Sequence, residues 1–335
     1  MVRLLAVLVL AGASAHAQFM IDWVTVGDPG NEGQTQTYTN GGTLTFGAVA
    51  DSFQIMKFEF TNSQYAVFLN SVAATDTYGL YNENMAGNAR GGISRGMTHT
   101  GSYTYKVKAG MGDKPVNYVS WFDAARVANW LMNGGTSSSS TETGAYTLLG
   151  GQKSGTAPAR NPGATFYIPT ENQWYKAAYY KGGSTDAGYW KYATQSDTAP
   201  TAVTSGSTGI GSAGSTGNFA NYNYAADWYS QNGNVTSVGT NGGASAYEAF
   251  DMSGNVAEWN DLTGAADSSR GLRGGGYSTP QASDLSSSFR FQGGIPALEY
   301  IHVGFRLAAL PEPSSLSLLL AGGAVFAAAR RRRLV

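Results

Sequence analysis

The sequence predicts a loop-rich α+β fold in which a few short helices and small antiparallel sheets are joined by long ordered loops. Three observations predict it. Glycine fills 45 of the 335 positions, about twice its usual share. Helix-start signals are sparse and each is followed by only a short apolar face, while the β-like runs are brief and scattered. With 42% hydrophobic and 12% aromatic residues the chain still has apolar surface for a packed core.

The first helix is expected after Thr61-Asn62-Ser63-Gln64. This is a capping box, in which the Thr oxygen accepts from an orphan backbone N–H and the Gln reaches back. Tyr65, Phe68, Leu69 and Val72 follow at i, i+3, i+4, i+7 and make one apolar face. Ser120-Trp121-Phe122-Asp123 opens a second helix, with Val127, Trp130 and Leu131 inward and Gly134-Gly135 as its end. Thr170-Glu171-Asn172-Gln173 opens a third, with Trp174, Ala177 and Ala178 inward and Gly182-Gly183 as the stop. Strand-like pieces are expected at Thr43 to Phe46, Phe53 to Phe60, Tyr103 to Lys108 and Val303 to Leu307. The Gly/Ser/Thr stretches at 134–140 and 205–217 read as exposed loops within one domain, because apolar motifs resume on both sides. So many loops need something other than ladders to satisfy their backbone; bound cations and Asn/Asp turns are the devices expected.

Charge narrows the function. Lys+Arg 21 against Asp+Glu 22 gives a net charge of -1, and only 13% of residues are charged, about half the usual fraction. Without a basic stripe, nucleic acid is not an expected partner. The cysteine count is zero. That removes disulfides, thiolate metal sites and cysteine nucleophiles together.

Both ends read as addresses. Met1-Val2-Arg3, the apolar run Leu4 to Gly12 and the small-residue site Ala15-His16-Ala17 form a secretory signal at 1–17. Residues 18–309 are then one exported domain. At the far end, 310–335, come Pro311-Glu312-Pro313, an apolar stretch from Ser314 to Ala329, and Arg330-Arg331-Arg332-Arg333. The stretch is short of the ~20 residues of a comfortable membrane span, and the arginines would stay on the cytoplasmic side. This order resembles the PEP-CTERM sorting signal of Gram-negative bacteria. The resemblance implies an exosortase-type membrane transpeptidase as partner, transient inner-membrane tethering, and delivery to the cell envelope or extracellular matrix. A plain C-terminal anchor predicts similar topology.

The body has its own resemblance. Phe58-Glu59-Phe60-Thr61-Asn62-Ser63-Gln64-Tyr65, Lys114-Pro115-Val116-Asn117-Tyr118-Val119-Ser120-Trp121-Phe122-Asp123-Ala124, and Ile168-Pro169-Thr170-Glu171-Asn172-Gln173-Trp174 occur in that order. Asp251-Met252-Ser253-Gly254-Asn255-Val256-Ala257-Glu258-Trp259, Arg273-Gly274-Gly275 and Gly304-Phe305-Arg306 follow. Together they resemble the signature blocks of the formylglycine-generating-enzyme, or sulfatase-modifying-factor, family. That implies the family's C-type-lectin-like α+β fold, often stabilised by calcium.

The family's oxidase reaction uses two cysteines after the Arg-Gly-Gly block to bind copper. Here Ser278 to Asp284 holds none, and Thr279 and Asp284 are hard donors that do not replace a soft thiolate pair. Formylglycine chemistry is therefore excluded, and copper or iron is not an expected cofactor; no catalytic residue is assigned. Relatives that hold iron with three histidines need more than His99 and His302, the histidines left after the leader. What the resemblance does imply is calcium, held by Asp251, the carbonyls of Gly254 and Val256, and Glu258. A second site is implied at Asn221 and the Tyr222 carbonyl. The rival is that Asp251 and Glu258 merely cap loop N–H groups.

Arg273, Tyr277, Thr279, Asp284, Arg290 and Trp228 are the candidates for a ligand groove. The rings of Tyr222, Tyr224, Trp228 and Tyr229 beside amides suit sugar stacking, or else they fill a loop-rich core. The expected function is an exported, non-catalytic module for a glycan or protein ligand. The alternative is a modifying oxidoreductase with a non-cysteine metal site.

Overall fold

The three capping boxes start helices where their oxygens place them. The computed structural model describes residues 20–38 and 42–311; the leader at 1–17 and the sorting residues from Glu312 to Arg333 lie outside the described residues. Helix α1 (Asn62–Val72) opens at Thr61, whose Oγ1 accepts from Gln64 N at 3.3 Å while Gln64 Oε1 accepts from Thr61 N at 2.9 Å. A single turn, α2 (Asn84–Gly87), follows. Helix α3 (Trp121–Met132) opens at Ser120, where Asp123 closes the box in place of Glu or Gln. Helix α4 (Glu171–Tyr179) opens at Thr170. It ends at an extended Tyr180, ahead of the Gly182-Gly183 stop expected from sequence.

The helices differ in burial. α1 keeps the amphipathic pattern, with Tyr65, Phe68 and Leu69 buried. α3 is buried from Trp121 through Trp130, including Asp123, Arg126 and Asn129, so its one-face reading understates it. It is the central element of the core, with Trp121 set edge-on to Tyr146 at 5.0 Å between ring centres and Trp130 against Phe68 at 5.4 Å.

The sheets are small. One has four strands in the order Trp23–Val26, Phe53–Met56, Ala308–Ala309, Phe166–Tyr167, all antiparallel. A second runs Phe291–Gly294, Arg270–Arg273, Ala257–Asn260, Val303–Gly304, its last pair parallel. Two-stranded ribbons join Gln34–Thr37 to Thr43–Phe46 and Ile93–Met97 to Tyr103–Val107. The expected strand Phe53 to Phe60 stops at Met56, and Val303 to Leu307 keeps only its first two residues. The lost residues pair irregularly instead, Met56 N donating to Leu307 O and Phe60 N to Phe305 O. The strand Ala257–Asn260 is buried at every position. A strand buried on both faces has no period-two pattern to read.

The loops find their partners in buried arginines and asparagines. Arg126, Arg270, Arg273 and Arg306 are 0–1% exposed. Each is ion-paired, to Glu142, Asp261, Glu171 and Glu258, at 2.7–2.8 Å. Other N–H groups of these arginines go to backbone carbonyls: Arg306 to Met56 O and Phe250 O, Arg270 to Pro158 O, Arg126 to Gln152 O. Asn62 Nδ2 donates to the carbonyls of Met111, Lys114 and Pro115, and Asn129 Nδ2 to those of Thr141 and Tyr146. Few charges are needed outside because several work inside.

Candidate functional site

The Arg-Gly-Gly turn after the strand Arg270–Arg273 builds one side of a cavity. Gly274 and Gly275 have φ of 89° and 66°, in the left-handed region. A Cβ on Gly275 would meet Leu285 Cδ2 at 2.5 Å, so only glycine passes here. The chain then folds over itself, Thr279 Oγ1 accepting from Gly276 N at 2.9 Å. Beneath this turn Arg273 donates to Glu171 Oε1 and to the carbonyls of Ser287 and Phe289, which pins the 286–289 loop at the rim. Arg290 approaches the same Glu171 from outside, Nη2 to Oε2 at 2.6 Å.

The result is a cavity of about 280 Å³ whose wall is mainly apolar: Leu272, Phe289, Phe291, Tyr300 and His302, with Thr279 at its polar edge. Tyr300 and His302 stack at 5.7 Å between ring centres. Burial lowers the His302 pKa, so the imidazole entering the cavity is neutral at pH 7. Phe289 and Phe291 are 40% and 46% exposed at its rim.

The groove residues expected from sequence do not share one surface. Arg273 and Thr279 line the cavity, but the Arg273 guanidinium is spent on Glu171 and loop carbonyls. Arg290 lies on a separate cavity of about 410 Å³ beside Phe46 and Glu171. Asp284 sits half-buried in the turn Ala282–Leu285 behind the glycines. Tyr277 and Trp228 are a correction: at 2% and 5% exposure they pack with Met111, Val235 and Val256 in a satellite core. Trp228 Nε1 donates to Val235 O at 2.7 Å, and the Lys114 ammonium lies 4.9 Å from its ring. The aromatic cluster therefore splits. Trp228 fills core, whereas Tyr224 and Tyr229 stay 44% and 47% exposed on left-handed backbone, φ 54° and 55°.

Sequence reasoning missed Phe289, Phe291 and Tyr300. The alternation of Phe289 and Phe291 along a short edge was the one signal available, and it is too brief to separate from loop.

The calcium candidates lie in a buried polar layer. Asp251 accepts from Gly239 N and from Asn241 Nδ2, on left-handed backbone at φ 57°. Glu258 accepts from Arg306 Nε and Nη2, both at 2.7 Å, and from Trp174 Nε1 at 2.8 Å. Glu59 lies alongside, accepting from Asn255 Nδ2 and Val256 N. Burial, then the charges of Asp251 and Glu258, hold the Glu59 pKa well above the usual carboxylate range. Burial raises the Asp251 pKa as well, so protons together with the Arg306 guanidinium relieve the charge of this layer. Gly254, at φ 92°, lets the loop lie on Asn221, where a Cβ would meet Asn221 O at 2.5 Å.

Asn221 Nδ2 donates to Asn234 O, while Asn221 Oδ1 is buried without a partner. An orphaned amide oxygen is a fitting hard donor. Among the described residues no three His, Asp or Glu side chains converge as a metal site. Of the expected calcium ligands, Glu258 has both oxygens on Arg306 and Asp251 has both on Gly239 N and Asn241 Nδ2, which is the capping role of the rival reading, so the side-chain oxygen left over for a cation is Asn221 Oδ1.

Residues 25–310 match the family model described as the sulfatase-modifying factor enzyme 1-like domain. No curated protein matches the chain in sequence. Two solved structures share the fold: CarF, with TM-score 0.50 and 21% identity over 88% of this chain and 100% of that one, and the Treponema denticola variable protein 1, with TM-score 0.50 and 19% identity over 86% and 95%. PvdO from Pseudomonas aeruginosa is also similar, at TM-score 0.46 and 17% identity over 88% and 96%.

Proposed function

The chain belongs to the sulfatase-modifying-factor family, and on that premise we propose that it is an exported, non-catalytic binding module of the cell envelope. Its ligand would be a neutral glycan or a protein segment presenting rings or alkyl groups. The observation that carries the reading is the cavity at the Arg-Gly-Gly turn. Its aromatic rim is open, while the arginine beneath it is already committed to Glu171 and to carbonyls. With no cysteine in the chain, the cavity lacks the thiolate pair that holds the family's copper. Rings with a few polar edges suit the faces of sugars and side chains.

Calcium in this reading is structural, bound through Asn221 Oδ1 and the loop 251–258. The leader and the Arg-terminated tail support export and processing by an exosortase-type enzyme.

A glycan array and a peptide library probed with the leader-free protein test the binding. Phe291→Ala is expected to weaken any captured ligand by about five- to thirtyfold, as a lost aromatic contact worth ~1–2 kcal/mol would, without changing the melting temperature. Stoichiometric copper or iron in the purified protein would overturn the non-catalytic reading in favour of a modifying oxidoreductase.

A further inference from the structure

A third cavity, of about 420 Å³, opens on the outer face of the four-stranded sheet, far in sequence from the Arg-Gly-Gly turn. Its walls are Trp23, Gln54, Thr165, Phe166, Leu310 and Pro311, and no lining side chain carries a charge. Trp23 and Phe166 face each other at 5.8 Å between ring centres. Leu310 is 47% exposed, although its N–H is fixed to Thr165 O at 3.0 Å. Trp23 is half-buried, whereas Trp121, Trp130, Trp174 and Trp259 are wholly buried.

Where the chain goes next decides what covers this groove. Its wall ends at Pro311. Only Glu312 and Pro313 separate it from the uncharged run Ser314 to Ala329 and its terminal arginines. At ~3.3–3.6 Å per residue, this link keeps the groove within about 10 Å of wherever the run enters hydrocarbon. That is of the order of the interfacial layer's depth, where tryptophan rings settle.

We propose that, while the tail is anchored, the groove around Trp23 lies against the bilayer surface and beds its rings and Leu310 into the lipid interface. The inference rests on the anchoring reading of the tail. Lipid is favoured over the tail folding back, because a groove of this size holds a ligand of drug size and would leave most of the apolar run in water.

The test uses the leader-free chain with its C-terminal tail intact, residues 18–335, in phosphatidylcholine vesicles, read by flotation and by tryptophan emission with and without bromine-labelled acyl chains. The chain is expected to float. The emission difference between wild type and Trp23→Phe is expected to fall by about twofold or more on bromination, as for an interfacial ring. Because the chain has no cysteine, a Gln54→Cys variant carrying bimane reads the same groove if Trp23→Phe misfolds. Flotation with neither probe quenched overturns the inference and leaves anchoring intact, the result expected if the tail covers its own groove. Failure to float removes the anchoring reading, and the inference with it.

Discussion

Arg306 shows how single residues hold this chain together. Its guanidinium neutralises Glu258 and binds the carbonyls of Met56 and Phe250, so it joins the second sheet to the first and to the 250–258 loop. Both partners are fully buried. Removing one side of such a pair strands a charge in low dielectric and costs about 3–5 kcal/mol. Arg306→Met is expected to lose that much in urea unfolding. The double variant Arg306→Met with Glu258→Met should lose less than the single one, since the Glu258 charge leaves with its partner. Equal losses would show that packing, not charge, carries the effect. The cation–π seat of Arg273 between Phe46 and Tyr175, 4.8 and 5.0 Å away, follows the same plan. Guanidinium planes replace the regular ladders that the loops lack.

At the scale of elements, the helix starts were legible because a cap is local chemistry. Thr61, Ser120 and Thr170 act as N-caps with oxygens that need only their own next turn. What surrounds a cap is not local. Burial, and then the charge of Glu299, raise the Asp123 pKa from 3.8 to about 7. The folded state therefore holds this proton more tightly than the unfolded one. Its contribution to stability is complete below about pH 4 and is lost as pH rises to about 7. Stability measured across that window should fall less steeply in Asp123→Asn, whose amide oxygen can still accept from Ser120 N. Identical slopes would assign the titration elsewhere. The fully buried strand Ala257–Asn260 was illegible for the opposite reason, since its neighbours on both faces come from distant segments.

Taken whole, the molecule spends its polarity inward. The buried layer of Glu59, Asp251, Glu258, Asn221 and Asn255 sits between the two sheets' loops and the Arg-Gly-Gly turn, Asn255 O accepting from Tyr277 N and Gly274 O from Gly254 N. If calcium completes this layer, chelation should lower the melting temperature of the purified protein, and calcium, not magnesium, should restore it. Ligand binding at the cavity should weaken in step, since the layer supports that turn. An unchanged melting curve after exhaustive chelation would leave the excess charge to a proton on Glu59.

By itself the sequence determined the loop-rich α+β class, the three capped helices, the family blocks and the loss of thiol chemistry. Each depends on residue identity or on neighbours within one helical turn. Tertiary structure decided which candidates face a ligand. Burial is a property of segments that meet in space, so it sent Trp228 and Tyr277 into the core, tied Arg273 to Glu171, and left Phe289, Phe291 and Trp23 at open cavities that no local pattern marked.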